Sequence, residues 1–184
     1  TATPSAKLEV TEDILVNGNT IGNGGGNVNT NIAIGFEALL VNGAGIENTA
    51  IGTQSLKSNS GGSFNTAIGN GAMLENTGGG ENTAAGAQAL RANINGTRNA
   101  ATGFNALRWS TGSYNTAHGW SALSETTIGT GNTGFGNAAL QTNTTGSNNT
   151  GVGYLTDVAS AALSNATAIG YNAEVDASNK IQLG

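Results

Sequence analysis

Apolar and polar positions recur along this chain at a fixed interval. From Asn31 a pentapeptide of the form Asn-Thr-Ala-Ile-Gly returns again and again, closing on Gly35, Gly52, Gly69, Gly86, Gly103, Gly119, Gly136, Gly153 and Gly170. Successive glycines lie 17 residues apart, except for one step of 16 between Gly103 and Gly119. A short fixed period marks a repeat architecture in which each unit buries its apolar face against the next. Within the pentapeptide Thr and Ile stand two residues apart and share one face of a strand, while the small residue between them faces the other way. Four residues after each of the first seven glycines comes a large apolar anchor: Leu39, Leu56, Met73, Leu90, Leu107, Leu123 and Leu140. That Ala-Leu-x-x-Asn stretch reads as a second strand or as one helical turn, and good helix formers followed by Asn and Gly favour the turn. Second turn glycines follow at Gly45, Gly62, Gly79, Gly96, Gly129 and Gly146.

The predicted architecture is an all-β, solenoid-like rod of coils of about 17 residues, with short helical turns at the anchors. Nine coils at about 4.8 Å each make a rod of roughly 40 Å. Stacking superimposes Asn48, Asn65, Asn82, Asn99, Asn115, Asn132 and Asn149, and such Asn ladders hydrogen-bond along a stack. Residues 1–30 read as a connector. It holds the only proline, Pro4, a period-two alternation through Leu8, Val10, Glu12, Ile14 and Val16, a turn at Asn17-Gly18, and a break at Gly24-Gly25-Gly26. The rod spans 31–155. Residues 156–184 form a terminal coil, with the pentapeptide recovering at Ala168-Ile169-Gly170, and a capping strand over Lys180 to Gly184.

Composition sharpens this. Large aliphatics and Phe number 13 Leu, 11 Ile, 7 Val and 4 Phe, or 35 of 184 residues, a level near that of disordered chains. Disorder also calls for high net charge, yet the net charge is only −5. So few large side chains suit narrow coils filled by Ala and Ile, or several chains sharing one core. The six basic residues are scattered and make no patch for a phosphate backbone, which argues against nucleic acid. There is no cysteine, and no apolar run approaches the ~18 residues of a membrane span. Membrane insertion is not expected, and any export signal is expected outside this segment.

The Asn-Thr-Ala-Ile-Gly-x-x-Ala-Leu block resembles the repeats of bacteriophage tail fibres and is similar, with a longer period, to the Ala-Ile-Gly coils in the heads of trimeric autotransporter adhesins. The leader from Leu8 to Gly22 resembles the strand that precedes such repeats. The segment Ala168 to Gly184 resembles the stretch before a self-cleaving chaperone domain, so the chain reads as a mature or truncated product. What the resemblance implies is a homotrimer used for attachment, extracellular, on a virion tail fibre or a bacterial surface fibre. It implies no receptor and no catalytic residue; tail spikes that hydrolyse polysaccharides use a separate catalytic domain.

Candidate chemistry concentrates where the period breaks. Trp109, Tyr114 and Trp120, with Arg108, would form a glycan platform, the rings stacking on sugar faces while Arg reads hydroxyls. The same rings also read as corner covers, as do Phe36, Phe104, Tyr154 and Tyr171. The sole histidine, His118, falls between Thr102 and Phe135 of neighbouring coils. On a three-fold axis three such rings would converge on an anion, water or metal; the plainer reading is a hydrogen-bonded lone polar residue, since zinc needs more ligands than one chain offers. The Thr column, Thr49, Thr66, Thr83, Thr116, Thr133 and Thr150, would suit an ice-binding face, but Ala100 interrupts it, and inward-facing or ladder-bonded Thr explains it equally. Asp157 and Asp176 are too few and too distant for repeat-type calcium binding. Glu75 with Glu81, and Glu37 with Glu47, read as solvated rims rather than acid/base pairs, and no Ser/His/Asp set is present. An enzyme is not expected, nor a cofactor or metal. The leading expectation is an adhesive fibre module binding cell-surface glycans weakly and multivalently, with a purely architectural spacer as the alternative.

Overall fold

The computed structural model describes residues 13–184, so the expected alternation at Leu8 and Val10 and the lone Pro4 lie outside the described residues. Strands β1 (Ile14–Val16) and β2 (Asn19–Gly22) form an antiparallel hairpin across Asn17-Gly18. Both turn residues have positive φ, 50° and 79°, the combination that an Asn-Gly turn between twisted strands favours. β2 then pairs antiparallel with β3 (Ile32–Phe36). From there each strand lies parallel on the last: β4 (Thr49–Ile51), β5 (Thr66–Ile68), β6 (Thr83–Ala85), β7 (Ala100–Thr102), β8 (Thr116–His118), β9 (Thr133–Phe135) and β10 (Thr150–Val152). Beyond β10, β11 (Asp157–Val158) and β13 (Glu174–Val175) form a separate pair, while β12 (Thr167–Ile169) and β14 (Ile181–Leu183) complete a 12-stranded sheet. The fold is an all-β solenoid whose coil length is the sequence period.

Register follows the pentapeptide. Thr49 lies beside Thr66, Ala50 beside Ala67 and Ile51 beside Ile68, and the same pairing repeats from coil to coil. The middle residues Ala33, Ala50, Ala67, Ala84 and Ala101 are fully buried, so Thr and Ile face outward. A second small residue, alanine in all but the Ser55 coil, and the apolar anchor, such as Ala89 and Leu90, complete the interior of these coils at 0–1% exposure. One large side chain per coil therefore suffices, because two alanines and two asparagines fill the remaining cross-section. Narrow coils do close a core within one chain, but Ala and Leu fill it rather than the expected Ala and Ile, since Ile34 and Ile68 are 41% and 43% exposed.

The anchor is not a helical turn, contrary to the sequence expectation. Among the described residues the helical content is one 3₁₀ turn, Gly25–Asn27. Leu56, Leu90 and Leu107 have φ of 48°, 50° and 50°, and Gln54 and Gln88, two residues earlier, lie at 59° and 61°. These left-handed positions turn successive peptides toward the neighbouring coils. The Gln54 N–H donates to Phe36 O at 2.8 Å and the Leu56 N–H to Ala72 O at 3.0 Å. A leucine in that region costs about 1–2 kcal/mol, whereas burying its side chain returns roughly 1.5–3 kcal/mol, so stacking overrides local preference.

Both ends are closed by local departures from the repeat. The Gly24–Gly26 run lies over the first coil, where the Gly25 N–H donates to Leu39 O at 2.8 Å. Asp13 orients that run by accepting the Asn23 and Gly24 N–H groups at 2.6 and 3.0 Å. At the other end the anchor place after Gly153 falls to Asp157, and Val158 and Val175 take over the core. Burial pushes the Asp157 carboxyl above its ordinary value, helped by Glu174 on the adjacent strand and opposed by N–H donors of Val158 and Thr142. A carboxyl raised in the folded state contributes stability that is fully present below its unfolded value and is lost as pH rises through the folded one. Asp157→Asn removes that dependence. The melting temperature of the wild type is expected to gain on that of the variant by a few degrees as pH falls from 7 to 4; a difference constant with pH contradicts the assignment.

Candidate functional site

The outer face of the sheet is the most extensive feature the coils create. Its two columns, Ile32 through Thr167 and Ile34 through Ile169, are half-buried or exposed throughout and contain no Asp, Glu, Lys or Arg. Ile68, Val152 and Phe135 are 43%, 38% and 54% exposed. The Thr hydroxyls here neither point inward nor bond along the ladder: among the described residues none has a protein partner, so both alternative explanations of the Thr column give way to an outward row. Ala100 interrupts that row, as its sequence position indicates. His118 lies on this face between Thr102 and Phe135, its ring stacked on Phe135 at 4.9 Å. It is an exposed stacked ring, with no side-chain hydrogen bond among the described residues.

Two asparagine columns hold this face in place from behind. In the anticipated one, Asn65 Oδ1 accepts the Asn82 backbone N–H at 3.1 Å, while Asn65 Nδ2 donates across its own coil to Gly79 O at 2.8 Å. The second column, Asn42, Asn59, Asn76 and Asn93, is equally buried and runs amide to amide, Asn76 Nδ2 donating to Asn59 Oδ1 and Asn93 Nδ2 to Asn76 Oδ1, both at 2.8 Å. In the sequence an Asn before a turn glycine reads as a stop signal, and the spacing of 17 is the one mark of this second column.

The short coil interrupts the second column. Asn82 Nδ2 reaches Gly96 O across 14 residues, but Asn99 Nδ2 reaches Gly112 O across 13, which places the missing residue between Ser110 and Gly112. Ser110 stands where an asparagine belongs, and both Asn93 Oδ1 and Ser110 Oγ are left buried without a partner.

The four residues of the expected glycan platform do not meet as one surface. Tyr114 lies on the corner column before the strand, where Arg98 Nη1 donates to its hydroxyl at 2.9 Å and the guanidinium sits 5.6 Å from its ring. Arg98 also pairs with Glu81, which holds the Glu81 carboxyl below its ordinary value and raises the guanidinium's. Trp120 lies after the glycine, stacked on Phe104 at 6.3 Å, the corner-cover arrangement repeated by Tyr154 and Tyr171 at 5.7 Å. Trp109 and Arg108 do meet, the guanidinium carbon 4.5 Å from the ring centre, on the turn between Leu107 and Ser110. Glu37, Glu75 and Glu81 are ion-pair partners of Lys57, Arg91 and Arg98. No helix among the described residues is long and apolar enough to cross a membrane. Compared with known protein families, curated proteins and solved structures, the chain matches none.

Proposed function

We propose that this chain is a structural and adhesive module of an extracellular fibre, working as a homotrimer of parallel rods. The observation that carries this reading is the outer sheet face, uncharged throughout, with exposed Ile, Val and Phe toward both ends of the rod and Ala85, Thr102 and His118 between them. Because each coil already closes its own core, this face has no task inside the chain, and exposed apolar side chains on an uncharged face suit association. Identical parallel rods meeting on one axis would cover the Ile column, bring three copies of His118 together, and leave the corner columns open to a cell surface. Each trimer would present its ligand sites three times, which suits attachment through weak contacts.

Light scattering after size exclusion tests this. A mass of three times 18.1 kDa, about 54 kDa, is expected. Ile68→Lys and Val152→Lys together are expected to return it to a folded 18.1 kDa monomer. The unbonded outward Thr row favours one other reading, an ice-binding face, though the His118–Phe135 stack disrupts its second column. A monomeric wild type that shapes ice crystals would overturn the fibre in favour of ice.

A further inference from the structure

Five lysines and arginines fall within the described residues, and four of them, Lys57, Arg91, Arg98 and Lys180, have a carboxylate partner. Among the described residues Arg108 has none, and we infer that Arg108, with Arg91 and Trp109, binds the carboxylate of an acidic saccharide. This deepens the adhesive reading above and rests on it.

A guanidinium has five N–H donors, and Arg108 uses none of them within the described residues. Its Nε is buried without a partner, although the side chain as a whole is only partly buried. Removing charge from water without pairing it is unfavourable, and the terminal nitrogens, which are neither buried nor bonded among the described residues, are where an anion would pair with it.

Coil stacking supplies a second cation. Arg91 occupies the same place one coil earlier, about 4.8 Å away along the stack, and its pairing with Glu75 at 2.9 Å moderates repulsion between the two guanidiniums. Both face Trp109, with guanidinium carbons 4.5 and 5.9 Å from the ring centre. Arg108 packed on the indole fixes the ring, and Trp109 keeps 43% of its surface exposed for the C–H face of a sugar. The unpaired fork of Arg108 beside an indole matches a ring that carries a carboxylate, since the arginine fork binds carboxylate oxygens in pairs, and Arg91 adds a second positive charge nearby. An acidic peptide fits less well. The sheet edges, β1 and β14, lie at the ends of the rod, so no strand edge is free near Trp109 for an extended chain to join.

The test is a fluorescence titration of the full chain in a Trp120→Phe background, so that Trp109 reports alone. The probes are an oligogalacturonate, its methyl ester and inorganic phosphate. Saturable change with the oligogalacturonate is expected, at least tenfold weaker for the ester, which keeps the ring but masks the charge. Arg108→Gln is expected to weaken binding at least tenfold and Arg108→Lys to restore only part of it. Equal binding of acid and ester, phosphate binding as tightly as the sugar, or indifference to Arg108→Gln would each overturn the site. Masses recorded on the same samples separate this outcome from failure of the trimer, because Arg108 lies in the turn after Leu107 and not in a strand of the sheet.

Discussion

Gly86→Ala is expected to break the rod in two. A Cβ at Gly86 would lie 2.6 Å from Gly103 C and against Gly103 O, in a backbone with φ of 145° that side chains rarely adopt. Neither neighbour yields readily: the Gly86 N–H donates to Ile68 O and the Gly103 N–H to Ala85 O, each at 2.8 Å, so moving one coil disturbs the next. In a solenoid, stability is close to a sum of coil terms and nearest-neighbour interface terms. Loss of one central interface is therefore expected to cost on the order of 3–5 kcal/mol, at the severe end of single substitutions, and to split urea unfolding by far-ultraviolet circular dichroism into two phases. Gly61→Ala is the control. A Cβ there meets only Thr77 O, at 4.0 Å, and its effect is expected within about 0.5 kcal/mol. Equal effects at the two sites would show that close stacking of the glycine column does not hold the coils.

That contrast also separates what the sequence discloses from what it conceals. The glycine spacing, the strand at each Thr-Ala-Ile and the stacked Asn48-type ladder are legible because each is tied to a fixed place in the period. The direction of the strand is legible only in part. Thr and Ile must share a face, but burial of Ala84 rather than Ile68 depends on how narrow the coil is, which composition bounds without deciding. The anchor is misread because propensity describes an isolated segment. Leu90 at φ 50° is stable only when its N–H reaches Ala106 O in the next coil at 3.0 Å. The aromatic cluster misleads for a geometric reason. Trp109 and Trp120 are eleven residues apart in a coil of 16, so closeness in sequence carries them to different corners. Arg108 beside Trp109 survives because adjacent residues share a turn whatever the cross-section, and Arg91 joins them because one period separates it from Arg108.

Asn82→Ala is expected to be more damaging than Asn93→Ala, although both residues are buried amides of adjacent columns. The Asn82 Oδ1 accepts the Asn99 backbone N–H at 2.9 Å, and its Nδ2 donates to Gly96 O at 2.8 Å. Truncation leaves the Asn99 N–H buried and unpaired, the costlier kind of orphan, and adds a small cavity, together about 2–4 kcal/mol. Gly96 O keeps one donor, because Asn93 Nδ2 also reaches it at 3.0 Å. Asn93 differs in that its own Oδ1 already lacks a partner beside Ser110. Its removal deprives only acceptors, Asn76 Oδ1 and a Gly96 O that Asn82 still serves. A loss of about 1–2 kcal/mol is expected there. The ranking follows from a division of labour: one column satisfies backbone N–H groups that the coil geometry leaves exposed to the interior, while the other donates to amide oxygens of its own column and to glycine carbonyls. Urea midpoints of the two variants at matched pH decide it. If Asn93→Ala proves equal or worse, the amide-to-amide column carries the stacking energy, and the short coil at Gly103 to Gly119, where that column is interrupted, becomes the weakest joint of the rod.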